Sequence, residues 1–173
     1  MRFFNLIACS FLIFICSCNV SSKSKNKVSE NTVAENTVSE NAVSENRLPE
    51  NTGVQFIEEN WNTALEKAKS QNKLVFLDIY ATWCGPCKML KQYTFSDTSV
   101  GNFFNRNFVN VSVDGEKGVG PQLAQQFSIE GYPSLIITDA EGKPVLLTAG
   151  YMPASDLLKF ANEALRRSRD AKM

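Results

Sequence analysis

The chain has 173 residues, 43% apolar and 21% charged, with 18 basic against 18 acidic side chains and no histidine. That length allows one domain of ordinary size plus an appendage. The balanced charge excludes the basic field that draws nucleic acid, so no nucleic-acid partner is expected.

The first stretch, MRFFNLIACSFLIFICSC, sets Arg2 before an apolar run from Phe3 to Ile15 that only Asn5 and Ser10 interrupt. The run falls short of the roughly 20 residues of a spanning helix and has the layout of a secretory signal. Ile15-Cys16-Ser17-Cys18 resembles the bacterial lipoprotein box: an aliphatic residue, a tolerant position, a small residue, then cysteine. The resemblance implies a lipoprotein-type signal peptide over residues 1–17 and an acylated Cys18 as the new N-terminus. Cys16 fits less well, because the large Ile15 precedes it. A plain secretory peptide or an N-terminal anchor helix is the alternative.

Residues 18–52 form a second segment. From Val28 the chain reads VSENT, VAENT, VSENA, VSENR, LPENT, ending at Thr52. A period of five matches neither the helical 3.6 nor the strand 2, so no continuous apolar face accumulates. One small aliphatic side chain per repeat cannot offset the entropy of ordering the backbone. The segment reads as a polar, disordered tether with a reach of roughly 30 Å, a spacer that keeps the third segment off a membrane.

Residues 53–173 carry the folded domain, long enough for one core. Val54–Ile57 is a short extended start. From Glu58 to Ser70, Trp61, Ala64, Leu65 and Ala68 recur at helical spacing. Lys73–Tyr80 (KLVFLDIY) is a nearly continuous apolar run with one acid inside, as in a central strand covered on both faces. A helix is expected from near Cys84 past Leu90, and another over Ser96–Asn105 with Val100, Phe103 and Phe104 turned inward. Phe108–Val113 reads as a strand and Pro121–Phe127 as a short helix. Ser134–Thr138 and Val145–Thr148 read as strands joined by a turn at Glu141-Gly142. Pro153–Arg167 closes the chain as a helix with Leu157, Phe160, Ala161, Ala164 and Leu165 on one face. The pattern predicts an α/β domain with a mixed central sheet flanked by helices.

Cys84 and Cys87 stand two residues apart in ATWCGPCKM. Zinc needs about four ligands, usually Cys or His. With the signal removed only Cys18 could join the pair, so no metal is expected. A structural disulfide closing four residues would contribute roughly 2 kcal/mol, against about 3 for fifteen. Redox exchange uses the spacing better. One thiolate attacks a substrate disulfide and a second thiol resolves the mixed disulfide. A helix beginning between the two would set Cys84 at its N-terminus, where the dipole and free amides stabilise a thiolate. Cys87 would lie one turn in, more buried and protonated until it attacks. Pro86 suits the first turn, where its missing N–H costs nothing. Asp78 is costly inside a strand unless it is paired or protonated. It faces a polar pocket or serves chemistry. Trp83 reads either as core packing or as a rim that meets partner proteins. Tyr132-Pro133 leads into a strand, either as an ordinary strand-entry proline or as a cis bond.

These residues resemble thioredoxin. The matching features are the apolar strand with Asp78, then Trp83-Cys84-Gly85-Pro86-Cys87-Lys88, then Gly131-Tyr132-Pro133-Ser134 before a strand, then Gly150. The likeness covers roughly residues 54–168. It implies a thioredoxin-like fold, a redox-active Cys84–Cys87 disulfide, and a cis Pro133 lying against it. It further implies a substrate chain paired beside Tyr132 within a surface of Trp83, Gly85 and Pro86. Asp78 would relay a proton below the second cysteine. Two departures stand out. A lysine near the buried acid in many thioredoxins aligns with Asn110. The stretch from Tyr93 to Arg106 is longer and looks more like envelope members, such as the C-terminal domain of a membrane electron transporter.

The expected function is a thiol-disulfide oxidoreductase, tethered to the bacterial envelope and facing the periplasm or exterior. It would reduce or isomerise protein disulfides. Cys84 would be the nucleophile and Cys87 the resolving thiol, with no cofactor, since the dithiol carries two electrons. Gly-Pro between the cysteines resembles reducing members, with potentials near about −270 mV. A membrane electron donor and a monomeric state complete the expectation. A chaperone-like binding module and a dedicated reductant of apocytochrome thiols for haem attachment are the rival readings.

Overall fold

The computed structural model describes residues 53–171 and Met173. The expected signal peptide over residues 1–17, Cys18 and the expected tether over residues 18–52 lie outside the described residues. The elements are β1 (Ile57–Glu58), α1 (Trp61–Gln71), β2 (Leu74–Tyr80), α2 (Gly85–Met89), a π turn (Leu90–Thr94), α3 (Thr98–Asn107), β3 (Phe108–Asp114), α4 (Gly120–Gln126), β4 (Ser134–Thr138), β5 (Pro144–Ala149) and α5 (Ala154–Asp170). The strands form one sheet in the order β1-β3-β2-β4-β5. β1, β3 and β2 run parallel, while β4 is antiparallel to β2 and β5 to β4. This is the mixed, helix-flanked sheet that the sequence predicts.

Strand alternation divides the core into two layers. On one face Val75, Leu77 and Ile79 of β2 join Val109, Val111 and Val113 of β3. α1 covers them with Trp61, Ala64 and Ala68, and α4 with Leu123. On the other face Leu74 and Phe76 meet Val100 and Phe104 of α3 and Leu157, Ala161 and Ala164 of α5. The Phe76 and Phe104 rings pack edge-on with centroids 4.7 Å apart. The next β2 residue on this second face is Asp78. The alternation therefore carries the acid to the end of an aromatic layer.

Helix starts differ from expectation by the position of their caps. Glu58 belongs to β1, and α1 begins after Asn60, whose side chain accepts from the Thr63 amide. α3 begins at Thr98 rather than Ser96, because Asp97 caps it and accepts from the amides of Ser99 and Val100. The helix after the cysteines is α-helical only through Met89. It then widens into the π turn, closed by the Phe95 amide on the Leu90 carbonyl. Thr94 pins that turn to the approach of α5 by donating to the Met152 carbonyl at 2.8 Å. Among the described residues no helix is long and apolar enough to cross a membrane.

Candidate functional site

Cys84 caps α2, with Gly85 and Pro86 opening the helix and Cys87 one turn in. The two sulfurs are joined in a disulfide, with Cα atoms 5.4 Å apart. The Cys87 amide donates to Cys84 Sγ at 3.1 Å. A free amide aimed at this sulfur is the interaction that stabilises a thiolate once the bond opens. Cys87 is not the more buried of the two: Cys84 is 2% exposed and Cys87 8%. Tyr132 packs over the cysteine cluster, while Cys87 borders a cavity that Cys84 does not reach.

That cavity holds about 520 Å3 and is lined by Asp78, Cys87, Lys91, Glu58, Ser112 and Tyr80 among others. Asp78 is 6% exposed. In the sheet register it stands opposite Ser112 of β3. The Ser112 hydroxyl donates to Asp78 Oδ2 at 3.1 Å. Oδ1 has no hydrogen-bond partner among the described residues. Burial pushes the Asp78 acid up to about 7; Ser112 and Lys91 pull it down, and Glu58 raises it further. An acid poised there can hold or release a proton near neutral pH.

Asn110, aligned with the family's lysine, does not enter this cavity. It stands one pleat back on β3 and donates to the Gln55 carbonyl and to Asn105 Oδ1. The charges acting on Asp78 come instead from Lys91 and Glu58, which sequence reasoning missed. Ser112 was missed as well: FVNVSVD alternates, but only the β2–β3 register sets its hydroxyl opposite Asp78.

The Gly131–Ser134 turn brings Tyr132 to the cysteine cluster. The Tyr132–Pro133 bond is cis. Ser134 Oγ donates to the Gly131 carbonyl, and the Pro133 carbonyl accepts from Gly150, whose φ is +92°. That φ suits glycine. Trp83 is 66% exposed and so is not a core residue. Its ring meets Tyr132 edge-on at 6.0 Å, and its indole N–H donates to Glu116. Trp83, Gly85 and Pro86 thus flank the Cys84–Cys87 disulfide along the chain, Tyr132 packs on it with Pro133 next across the cis bond, and Asp78 lines the cavity that Cys87 borders. Such an arrangement can exchange a dithiol for a disulfide. Among the described residues no cluster of three or more metal-ligating side chains occurs.

Residues 61–165 match the family model of the thioredoxin-like domain. The chain is 33% identical over 111 residues to the thiol:disulfide interchange protein DsbD of Pseudoalteromonas atlantica, covering 62% of this chain and 19% of that protein. It is 35% identical over 101 residues to DsbD of Photorhabdus laumondii, covering 56% and 17%. It therefore spans about a fifth of the length of these relatives. Among solved structures, a proposed disulphide-isomerase from Bacteroides thetaiotaomicron is 38% identical, with a TM-score of 0.60 over 66% of this chain and 94% of that one. The oxidised C-terminal domain of Neisseria meningitidis DsbD shares the fold at 22% identity, with a TM-score of 0.51 over 59% and 90% of the two chains. With the family model spanning more than half of its residues, and the Cys84–Cys87 disulfide at the head of α2, the chain belongs to the thioredoxin-like family.

Proposed function

We propose that the domain is a thiol-disulfide oxidoreductase that reduces or isomerises protein disulfides. The observation that carries this is the Cys84–Cys87 disulfide at the opening of α2, with the Cys87 amide on Cys84 Sγ. The similarity to thiol:disulfide interchange proteins supports it.

In the reduced domain the Cys84 thiolate attacks one sulfur of a substrate disulfide. A Cys84–substrate bond forms, and the second substrate sulfur leaves and takes a proton. Asp78 then accepts the Cys87 proton, and the new thiolate attacks Cys84 Sγ. The substrate's remaining sulfur departs as a thiolate, and the domain is left as the disulfide seen here. Two electrons pass to the substrate. The exposed Trp83, with Gly85, Pro86 and Tyr132, offers a surface to the client, and the Pro133 turn a backbone edge. A dithiol donor must then restore the reduced state, and a membrane electron donor is consistent with the envelope reading. Cys18 acylation and the repeat tether would hold the domain at the envelope surface.

The test is insulin reduction with dithiothreitol, comparing the wild type with Cys84→Ser. Equal turnover would overturn the reading. Cys87→Ser should freeze mixed disulfides and so capture clients. A measured potential above about −150 mV would turn the direction to oxidation. Metabolic labelling with palmitate should mark the full chain and lose its signal in Cys18→Ala.

A further inference from the structure

Three side chains stand in register across the sheet: Glu58 on β1, Ser112 on β3 and Asp78 on β2. All three line the cavity beside Cys87. The widened turn after α2 brings Lys91 to the same cavity. The titratable or charged groups facing Asp78 are therefore Glu58 from β1, Tyr80 from β2, and Cys87, Lys88 and Lys91 from the helix and turn. Asn110 stands outside, occupied with Gln55 and Asn105.

We propose that Lys91 is a positioning residue for the proton step: its ammonium, opposed by the Glu58 carboxylate, decides the pH at which Asp78 is free to take the Cys87 proton. The inference rests on the proposed role of Asp78 and names what regulates it. A cation near the acid favours the carboxylate, and an anion favours the neutral form. Of the two lysines at the cavity, Lys91 is the one whose charge reaches Asp78. Both Lys91 and Glu58 are exposed side chains. Their charges act through solvent-screened space, and each effect is modest.

The proton balance is closed. With Asp78 ionised, the Cys87 S–H bond breaks, its proton passes to the carboxylate, and the Cys87–Cys84 bond forms as the substrate thiolate leaves. With Asp78 protonated no base is present in the cavity at that position, and resolution slows. The acid limb of the resolution rate therefore reports the Asp78 carboxyl.

The test is the single-turnover resolution of a mixed disulfide between Cys84 and a small aromatic thiol, followed from pH 5 to 9 in the full chain. Lys91→Met should move the acid limb up by about half a pH unit, about a threefold loss of rate on that limb. Glu58→Gln should move it down by a similar amount, and Lys91→Arg should leave it in place. A purely structural role for either side chain would change the rate at every pH without moving the midpoint. Midpoints that stay fixed, or that move the same way in Lys91→Met and Glu58→Gln, overturn the proposal. Asp78→Asn separates the two layers of the argument. If it abolishes the limb while the Lys91 and Glu58 variants leave it unmoved, this inference falls and the role of Asp78 stands. If the limb survives in Asp78→Asn, both fall.

Discussion

The Trp83 indole nitrogen donates to both carboxylate oxygens of Glu116, at 3.0 and 3.1 Å. Glu116 lies in the loop after β3, and its own amide donates to Asp114 Oδ1. An exposed tryptophan beside the disulfide is thus held by a loop thirty-three residues further along the chain. Fixing an aromatic ring before a client arrives lowers the entropy cost of binding.

Glu116→Ala should therefore weaken capture of protein substrates while sparing the chemistry. The expected result is a several-fold rise in KM for a protein disulfide, with kcat unchanged. A small aromatic disulfide, whose capture gains little from a held Trp83 ring, should be reduced at close to the wild-type rate. Stability should change by less than about 0.5 kcal/mol, since Glu116 is a surface residue. Michaelis kinetics on the two substrates side by side check this, and an equal loss on both would remove Trp83 from client recognition.

The buried Asp78 makes the fold pH-dependent in a defined direction. Its acid is raised from 3.8 in the unfolded chain to about 7 in the fold, chiefly by burial. Between those values the unfolded chain releases a proton that the native state retains, so stability falls as pH rises through the window. Above it, the buried carboxylate weakens the fold by roughly 4 kcal/mol relative to an acid with no shift. Asp78→Asn should remove this dependence, and it should be more stable than the wild type at pH 8 and close to it at pH 4. Urea titrations at the two pH values measure the difference. A wild-type stability that rises from pH 4 to 7, with Asp78→Asn tracking it, would contradict the assignment.

Much of this site is legible in the sequence because its parts are local. WCGPC fixes the cysteine spacing and the helix start, and the lone acid of KLVFLDIY marks a strand with one polar position. The order of strands and helices comes from the change of period along the chain. What stays hidden depends on register and on loops. Ser112 meets Asp78 because β2 and β3 pair as Asp78 opposite Ser112, and no local pattern sets that offset. Glu116 reads as one more charge in DGEKG until the loop folds back on Trp83. The turn at Leu90–Thr94 is invisible because its residues suit an ordinary helix, and the Thr94 bond to Met152 comes from fifty-eight residues away. Helix starts shift for a simpler reason: Asn60 and Asp97 use their side chains as caps, which moves the first helical residue past them.

The aromatic layer beneath the site offers a test of packing. Phe104 is fully buried, with its ring 4.7 Å from Phe76 and 5.2 Å from Phe108. Phe104→Ala should cost about 3–5 kcal/mol. Phe104→Leu, which keeps most of the volume, should lose much less. Denaturant midpoints for both variants check this. Equal losses would mean that edge-on ring contact, rather than volume, holds the layer.

Gly120 opens α4, and helix propensity alone predicts that Gly120→Ala is favourable by up to about 1 kcal/mol. The local geometry argues the other way. A Cβ there would stand 2.7 Å from the Asp114 carbonyl carbon and 2.8 Å from Gly115 Cα. These are backbone atoms and cannot rotate away, so the end of β3 must move. Overpacking of this kind costs about 1–3 kcal/mol and exceeds the propensity gain. The shift also reaches the site, since Asp114 accepts from the Glu116 amide and pairs with Lys117. Gly115→Ala is the useful contrast. Its Cβ would meet the Tyr132 ring, including the hydroxyl oxygen at 2.7 Å, and a half-buried ring can swing aside. We expect Gly120→Ala to lower the thermal midpoint by several degrees. Gly115→Ala should hold its midpoint better yet bind protein clients more weakly, because Tyr132 leaves its contact with Trp83. Thermal melts paired with client KM values distinguish the two, and a Gly120→Ala variant more stable than the wild type would show that propensity, not the backbone contact, governs this helix start.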